Sequence, residues 1–457
     1  MTKKKLTKKK AKENKGRAYA GWLFAAIPLI AVGFVYSGSL SNGFVSNWDD
    51  NLYILYNPYL ATTGFQAIVD IFSEFYFANY HPLTSLSYWF EYRLFGHNPL
   101  PYHFTNLLLH LLNTLLVFIW IKKLFKSHHA ALVVALLFGV HPMHVESVAW
   151  ISERKDLLYT FFFMLALIQY HKYLTAGMHK KHYVFTLLLF LCSLLSKSAA
   201  VIFPLVMILC DLYAKQRISL RLVLEKLPFF GLSVLFGLLA IMSQSEGNSI
   251  DSVYVPDFAF YERLMLAGYA LGKYLWMLFV PIGMSALHFY PVNEAGKLFG
   301  LVYLSPLLVI SLAALVLYFR KKKPYIAFGI LFFIMNLLLV IQILPVGQAI
   351  ISERYTYIPY IGIFIIPAVL YSEMRSSKAK MRDVFALILA VYALVLSVTA
   401  YQRVKVWKDG VTLFSDVIEK YPNNDYAYFV RANSYYDMKR YHEALKDFNK
   451  AIAIKPD

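Results

Sequence analysis

The chain has 457 residues, 59% of them hydrophobic and 16% charged, with a mean hydropathy of +0.51. A water-soluble globular protein could not carry that much apolar side chain on its surface, so the composition excludes a soluble domain and requires several membrane segments. The net charge of +18 sits in short basic runs between hydrophobic stretches, which excludes a single nucleic-acid-binding patch and reads as topology signal.

The first 18 residues form a Lys-rich tail with too little apolar content to fold, expected on the cytoplasmic side. An apolar stretch long enough to span follows and lacks a convincing small-residue cleavage site, which predicts an uncleaved signal anchor. Membrane helices are then predicted near 19–40, 104–122, 129–146, 157–174, 182–196, 199–214, 227–244, 301–319, 325–343, 358–372 and 384–402, about eleven crossings in an all-α polytopic domain over 19–403. With that count every strongly basic loop falls on one side, as the positive-inside rule requires. Residues 262–283 are apolar and of spanning length, yet a crossing there would put Arg320 to Lys323 on the wrong side. They are therefore expected to be re-entrant or interfacial, broken near Pro281 and Gly283. Cys192 and Cys210 lie inside apolar segments and imply no disulfide framework.

The loops on the other side carry the acids. The first, 41–103, holds Asp49, Asp50, Asp70, Glu74 and Glu91, and the second holds Glu146, Glu153 and Asp156. Phe65, Ile68, Val69, Phe72, Phe75 and Tyr76 recur at helical spacing, which predicts an amphipathic helix lying flat on the outer leaflet. From 404 to 457 the sequence turns soluble and mixed in charge. Tyr428, Ala432, Tyr435, Ala444, Phe448, Ala451 and Pro456 fall on the 34-residue tetratricopeptide spacing, with Arg431 in place of the usual leucine. Tyr401, Phe414 and Pro422 stand one period earlier, so the end of the last membrane helix is expected to open a degenerate capping repeat. Repeats cannot bury their faces alone, so these are expected to continue beyond Asp457 or to dock on the membrane domain.

Asp49 and Asp50 are adjacent carboxylates just past the first membrane helix. Repulsion between them would raise one pKa and leave a proton acceptor beside an orienting partner, although Asp-Asp-Asn is also ordinary turn and cap chemistry. His103, Asn106, His110 and Asn113 share one face of the second membrane helix; they either bond between helices or line a pocket. His141, His144 and Glu146 invite a metal reading, but a third ligand cluster is missing, so no metal is expected. Arg154 and Lys155 suit a phosphate contact. Lys197, and Arg354 beside Glu353, are outer-side cations that run against the topology bias. Tyr290 is expected to add an aromatic wall.

Trp48-Asp49-Asp50, Tyr80-His81-Pro82, His103 with Asn106 to Asn113, His141-Pro142-Met143-His144-Val145-Glu146 and Ser352-Glu353-Arg354-Tyr355 together resemble the transmembrane and tetratricopeptide-repeat-containing O-mannosyltransferases and their bacterial relatives. The resemblance implies a GT-C-type helical bundle that takes a polyprenyl-phosphate-linked sugar, with the repeats outside the cytoplasm, as in a bacterial inner membrane. It implies Asp49 as the base and Asp50 as its helper, Arg354 and Lys197 toward the lipid phosphate, and His81 in the pocket. Ser198 stands where a glutamate is common. The implied reaction is an inverting displacement at the anomeric carbon onto a hydroxyl, such as a protein Ser or Thr presented by the repeats, with no cofactor required. A non-enzymatic scaffold or lipid-linked-sugar flippase is the competing reading; a transporter fits less well, because the acids lie in loops and not at the midplane.

Overall fold

The structure, a computed structural model, describes residues 21–215, 219–246, 258–293, 297–341, 343, 349–374 and 379–456. The basic tail lies outside the described residues. All eleven predicted segments contain helix, and the chain forms an all-α bundle followed by three shorter helices at its C-terminal end. Among the described residues five helices are long and apolar enough for a full crossing: Gly21–Ser41, Pro99–Phe125, Leu220–Ser245, Gly300–Lys322 and Ala379–Trp407. A sixth is added if the bent pair His128–Val140 and Pro142–Ala149 counts as one span. The rest, including Pro324–Leu337 and Pro359–Met374, are shorter or more polar.

Local chemistry sets these boundaries. Pro99–Phe125 starts where the Asn98 side chain accepts from the Leu100 N–H (3.2 Å), with Pro99 in the first turn, and stops at Lys126 in the left-handed region. The segment expected to run straight from 129 to 146 breaks after Val140. Pro142 drives His141 into an extended conformation, and the His141 Nδ1 accepts from the Met143 N–H at 3.2 Å, so the chain restarts at 56° to its former course. The segment 262–283 is not among the helices apolar enough for a full crossing. Phe260–Phe279 is an uninterrupted helix with Leu266, Ala270, Tyr274 and Met277 buried on one face, and Pro281 and Gly283 shape the turn after it instead of breaking it.

Arg154–Thr175 and Lys180–Ser196 pack side by side, as do Pro324–Leu337 and Pro359–Met374. The latter pair touches backbone to backbone. A Cβ at Gly329 would lie 2.4 Å from the Gly362 carbonyl oxygen, and one at Gly362 would lie 2.5 Å from the Gly329 oxygen. A short antiparallel pairing, His288–Phe289 with Ala349–Ile351, fastens the turn after Phe279 to the strand that leads into Glu353. In the first loop, Gly64–Ser73 buries Ala67 and Ile71 and leaves Phe65 and Val69 exposed, while Phe75 and Tyr76 lie past its end.

The last membrane helix runs on to Val404 and turns through Lys405–Trp407 into Gly410–Lys420. Asp425–Asp437 and Tyr441–Ile454 follow as an antiparallel pair closed over Ala432, Ala444 and Ala451. Arg431 fits there because its guanidinium grips Asp447 with two bonds (2.7 and 2.9 Å) and reaches the Ser415 hydroxyl (3.1 Å). The Gly329 and Gly362 contact predicts that Gly362→Val forces two helices apart and costs about 1–3 kcal/mol, read as a lowered unfolding midpoint in detergent. An unchanged midpoint would show that the crossing relaxes freely.

Candidate active site

The first loop, the turn at 150–153 and the repeat region meet on a stack of tryptophans. Trp48 lies face to face with Trp150, ring centroids 4.1 Å apart at 14°, and with Trp407 at 6.1 Å and 13°, while Phe414 meets it edge on at 5.6 Å. Trp150 and Trp407 are buried. Hydrogen bonds reinforce the seam: the Gly43 N–H donates to the Lys408 carbonyl (2.8 Å), Asn42 Nδ2 to the Val404 carbonyl (3.2 Å) and Asn47 Nδ2 to Asp437 (2.8 Å). Asn47 holds a positive φ of 63°, which a short polar side chain tolerates. The repeats therefore dock on the membrane domain beside the acidic pair.

Asp49 and Asp50 start a helical turn, where neighbouring side chains diverge by about 100°. Asp50 is fully buried; its Oδ2 accepts from the Val45 N–H (2.8 Å) and its Oδ1 from the Ser152 N–H (3.0 Å) and the Ser152 hydroxyl. It is a clamp between loops, and both oxygens are occupied, so the helper role expected of it differs from what the structure shows. Asp49 points the other way with its side chain 28% exposed, 3.6 Å from Lys155 Nζ.

Glu153 lies at the centre of what Asp49 faces. Fully buried, it draws Lys155 Nζ to 3.0 Å, Arg354 Nε to 3.4 Å and Lys197 Nζ to 3.6 Å. Each cation has a second anchor: Lys155 has Asp49, Lys197 has Asp156 (2.6 Å), and Arg354 has Glu146, through a short side-chain bond and a backbone N–H bond of 2.9 Å. Asp156 and Glu153 take the partner role open at Ser198. Tyr355 and Trp150 supply aromatic faces, with the Arg354 guanidinium 4.9 and 5.7 Å from their centroids.

Four carboxylates thus surround three cations, and the protons distribute accordingly. Burial would raise Glu153, but Lys155, Arg354 and Lys197 outweigh it and hold the group well below the usual carboxylate range. Burial and the Glu153 charge push Asp156 up to about 7 against the pull of Lys197. Asp49 is raised by burial, with Lys155 opposing and Glu153 adding. Asp50 rises to about 6, again through burial, against its bonds from Ser152 and Val45. The shift expected from mutual repulsion of the pair is present but is caused mainly by desolvation. His81, buried near Lys155 and Lys197, falls to about 3 through burial and those charges and stays neutral.

Other expected site residues lie elsewhere. Arg154 turns away from Lys155 into a closed socket, where it meets Glu91 at 2.5 Å, the Asn106 amide oxygen at 2.9 Å and the Tyr102 carbonyl at 3.0 Å, under the Tyr88 ring. Its side chain has no exposed surface, so the phosphate contact expected of it is corrected to a structural one. The buried histidines bond to backbone carbonyls: His103 to Gly43 (3.2 Å), His110 to Gly139 (2.9 Å), His141 to Leu278 (3.0 Å) and His144 to Phe138 (2.8 Å). They tie backbone segments together, and the pocket-wall reading of them is corrected on that ground. Asn113 donates to the Leu157 carbonyl at 2.9 Å, the interhelical bond. Glu353 accepts from the Ser285 N–H (2.6 Å), meets His288 at 3.3 Å and faces Arg403 at 3.9 Å, so it braces the loop beside Arg354. Tyr290 packs on Phe258. Among the described residues no group of three or more His, Cys, Asp or Glu side chains is placed to hold a metal. Sequence reasoning placed Glu153 and Asp156 in an outer loop without giving them a role in the site, and gave none to Trp407. The run Glu153-Arg154-Lys155-Asp156 at the mouth of an apolar helix was their signal, since unpaired charges there are costly.

Residues 81–244 match the family described as dolichyl-phosphate-mannose-protein mannosyltransferase, and residues 426–457 match the tetratricopeptide repeat. A protein O-mannosyl-transferase of Caenorhabditis elegans is 24% identical over 89% of this chain and 59% of its own length. Protein O-mannosyl-transferase TMTC1 of Homo sapiens is 24% identical over 83% of this chain and 48% of its own. The chain thus spans about half the length of the curated relatives it matches. The oligosaccharyltransferase of Archaeoglobus fulgidus shares the fold, with a TM-score of 0.50 at 13% identity over 84% of this chain and 56% of the archaeal one. The same enzyme bound to an inhibitory peptide and a dolichol-phosphate gives a TM-score of 0.51 at 12% identity over 85% and 56%.

Two substitutions probe the construction of the site. Removing the shared anion with Glu153→Gln leaves three cations without it and should cost about 3–5 kcal/mol, measured as a drop in unfolding midpoint; a neutral result would mean that Glu146 and Asp156 suffice. Asp50 has a folded pKa of about 6, above its unfolded value, so its contribution to stability is greatest in acid and is lost as pH rises through 6. Asp50→Asn should therefore flatten the difference in midpoint between acidic and neutral buffer, and an unchanged slope would rule out titration of this group.

Proposed function

We propose, from its similarity to protein O-mannosyltransferases and its tetratricopeptide repeat, that the chain transfers a sugar from a polyprenyl-phosphate-linked donor to a hydroxyl of a protein acceptor, and does so on the outer face of the membrane. The names of its relatives make mannose the first sugar to test. One observation carries the reading: Asp49, a partly exposed carboxylate, lies 3.6 Å from Lys155, one of three cations gathered on a single buried anion.

Each part has a chemical task. The acceptor oxygen attacks the anomeric carbon from the face opposite the lipid phosphate, a new C–O bond forms, and the bond to the phosphate oxygen breaks with its electron pair. Asp49 takes the hydroxyl proton; a carboxylate whose pKa is lifted by burial is a stronger base than a free one. The departing phosphate gains charge, which the accessible sides of Lys155, Lys197 and Arg354 (side chains 10, 13 and 19% exposed) are placed to meet. Glu153 and the second anchors fix those side chains beforehand, so little reorganisation is needed when charge develops. Phosphate leaves readily, so the scheme asks for no acid and no metal. Gly410–Lys420 and the helices after it, docked on the Trp48 seam, place any bound polypeptide beside Asp49.

In bilayers supplied with a polyprenyl-phosphate-linked mannose and a Ser/Thr-rich peptide, Asp49→Asn should lower transfer by about 10²–10⁴-fold while its unfolding midpoint stays near that of the parent. The acid limb of the rate profile should lie above the ordinary aspartate range, since only the ionised form accepts the proton and burial raises that pKa. Undiminished transfer by the variant would remove Asp49 from the chemistry and favour a scaffold or flippase.

A further inference from the structure

Pro99–Phe125 has 27 residues, about 40 Å at the rise of an α-helix. Asn106 near one end holds Arg154 behind the candidate site, and Lys122, Lys123 and Lys126 mark the other end. Two apolar cavities open on either side of Lys123. One, of about 230 Å³, lies among Trp22, Leu115, Phe118, Ile119, Lys122 and Lys123. The other, of about 200 Å³, lies among Trp120, Leu124, Leu167, Leu174, Lys123 and Lys126.

The charges at this end are unevenly answered. Lys226 is buried on Asp211 (2.7 Å), whose other oxygen accepts from the Tyr170 hydroxyl (2.5 Å), and Lys323 reaches Glu373 at 3.3 Å. Among the described residues, Lys122, Lys123 and Lys126 have no carboxylate partner, although Lys123 and Lys126 are exposed at the cavity mouths. Cationic rims on greasy walls at the end of a membrane helix fit a molecule that is anionic at its head and apolar behind it.

We propose that this end of the bundle binds an anionic phospholipid of the leaflet opposite the candidate site, its headgroup phosphate among Lys122, Lys123 and Lys126 and its acyl chains in the two cavities. A single lipid with chains on both sides of Lys123 would also fill the gaps that part Pro99–Phe125 from Gly21–Ser41 and from Arg154–Thr175, two helices that carry the first loop and Lys155. An uncharged lipid would gain nothing from the lysines.

Trp22 and Trp120 line the cavities and report on what enters them. The full chain is placed in phosphatidylcholine bilayers containing a small fraction of either brominated phosphatidylglycerol or brominated phosphatidylcholine, and tryptophan quenching is compared. The expected result is that brominated phosphatidylglycerol quenches at about one-tenth the mole fraction needed for brominated phosphatidylcholine. Trp120→Phe should remove part of that excess, and Lys123→Gln with Lys126→Gln should abolish it. Equal quenching by the two lipids in the parent protein, which needs no variant to fold, would overturn the proposal and leave the lysines as snorkelling side chains. An excess that survives the double lysine substitution would also overturn it.

Discussion

Three cations cannot be brought together under a protein surface unless an anion lies among them. Glu153 is that anion, and the surrounding architecture keeps it in place. The short turn Ile151–Glu153 sits at the start of Arg154–Thr175, Asp50 grips Ser152 from the first loop, and Trp150 is wedged between Trp48 and the cations. Lys197 arrives from the end of Lys180–Ser196 and Arg354 from the turn before Pro359–Met374. Four separate stretches of chain are thus tied to one carboxylate. The desolvation of that carboxylate is offset only when all of them are assembled.

The tryptophan seam extends this dependence to the repeats. Trp407 lies in the short turn Lys405–Trp407 that ends the last apolar helix, just before the first repeat helix. It stacks one residue away from Asp49 in sequence, through Trp48. Arg403, one turn earlier, is held between Asp416 of the first repeat helix (2.6 Å) and Glu353 beside Arg354 (3.9 Å). The degenerate capping repeat is in this way continuous with the walls of the candidate site, and its helices are stabilised by contacts they do not make with one another. Repeat helices that cannot bury a face alone gain that face from the membrane domain.

Much of the architecture could be read from hydropathy because it depends on runs of like residues. Each of the eleven apolar stretches contains helix, and the 34-residue register appears as repeat helices. What hydropathy cannot express is direction. The bend after Val140 came from one proline, and the fate of 262–283 turned on whether Pro281 stood inside a helix or just past its end. The histidines at 103, 110, 141 and 144 looked like a pocket because polar groups in a membrane segment need partners. Their partners were backbone carbonyls, of other helices for His110 and His141, of the first loop for His103 and of the preceding turn of chain for His144, information that exists only after packing.

The same limit explains the two charged pairs that most shaped the reading of the site. Asp49 and Asp50, like Arg154 and Lys155, are adjacent in sequence and similar in type. A helical turn swings successive side chains apart by about 100°, so one member of each pair enters the protein and the other faces the cleft. Asp50 and Arg154 become ties between loops and helices, each with its polar atoms committed to the protein. Asp49 and Lys155 meet each other and remain partly open. Proximity in sequence therefore does not give these residues a joint function; it gives them opposite ones. The buried member fixes the backbone, and the backbone aims the exposed member.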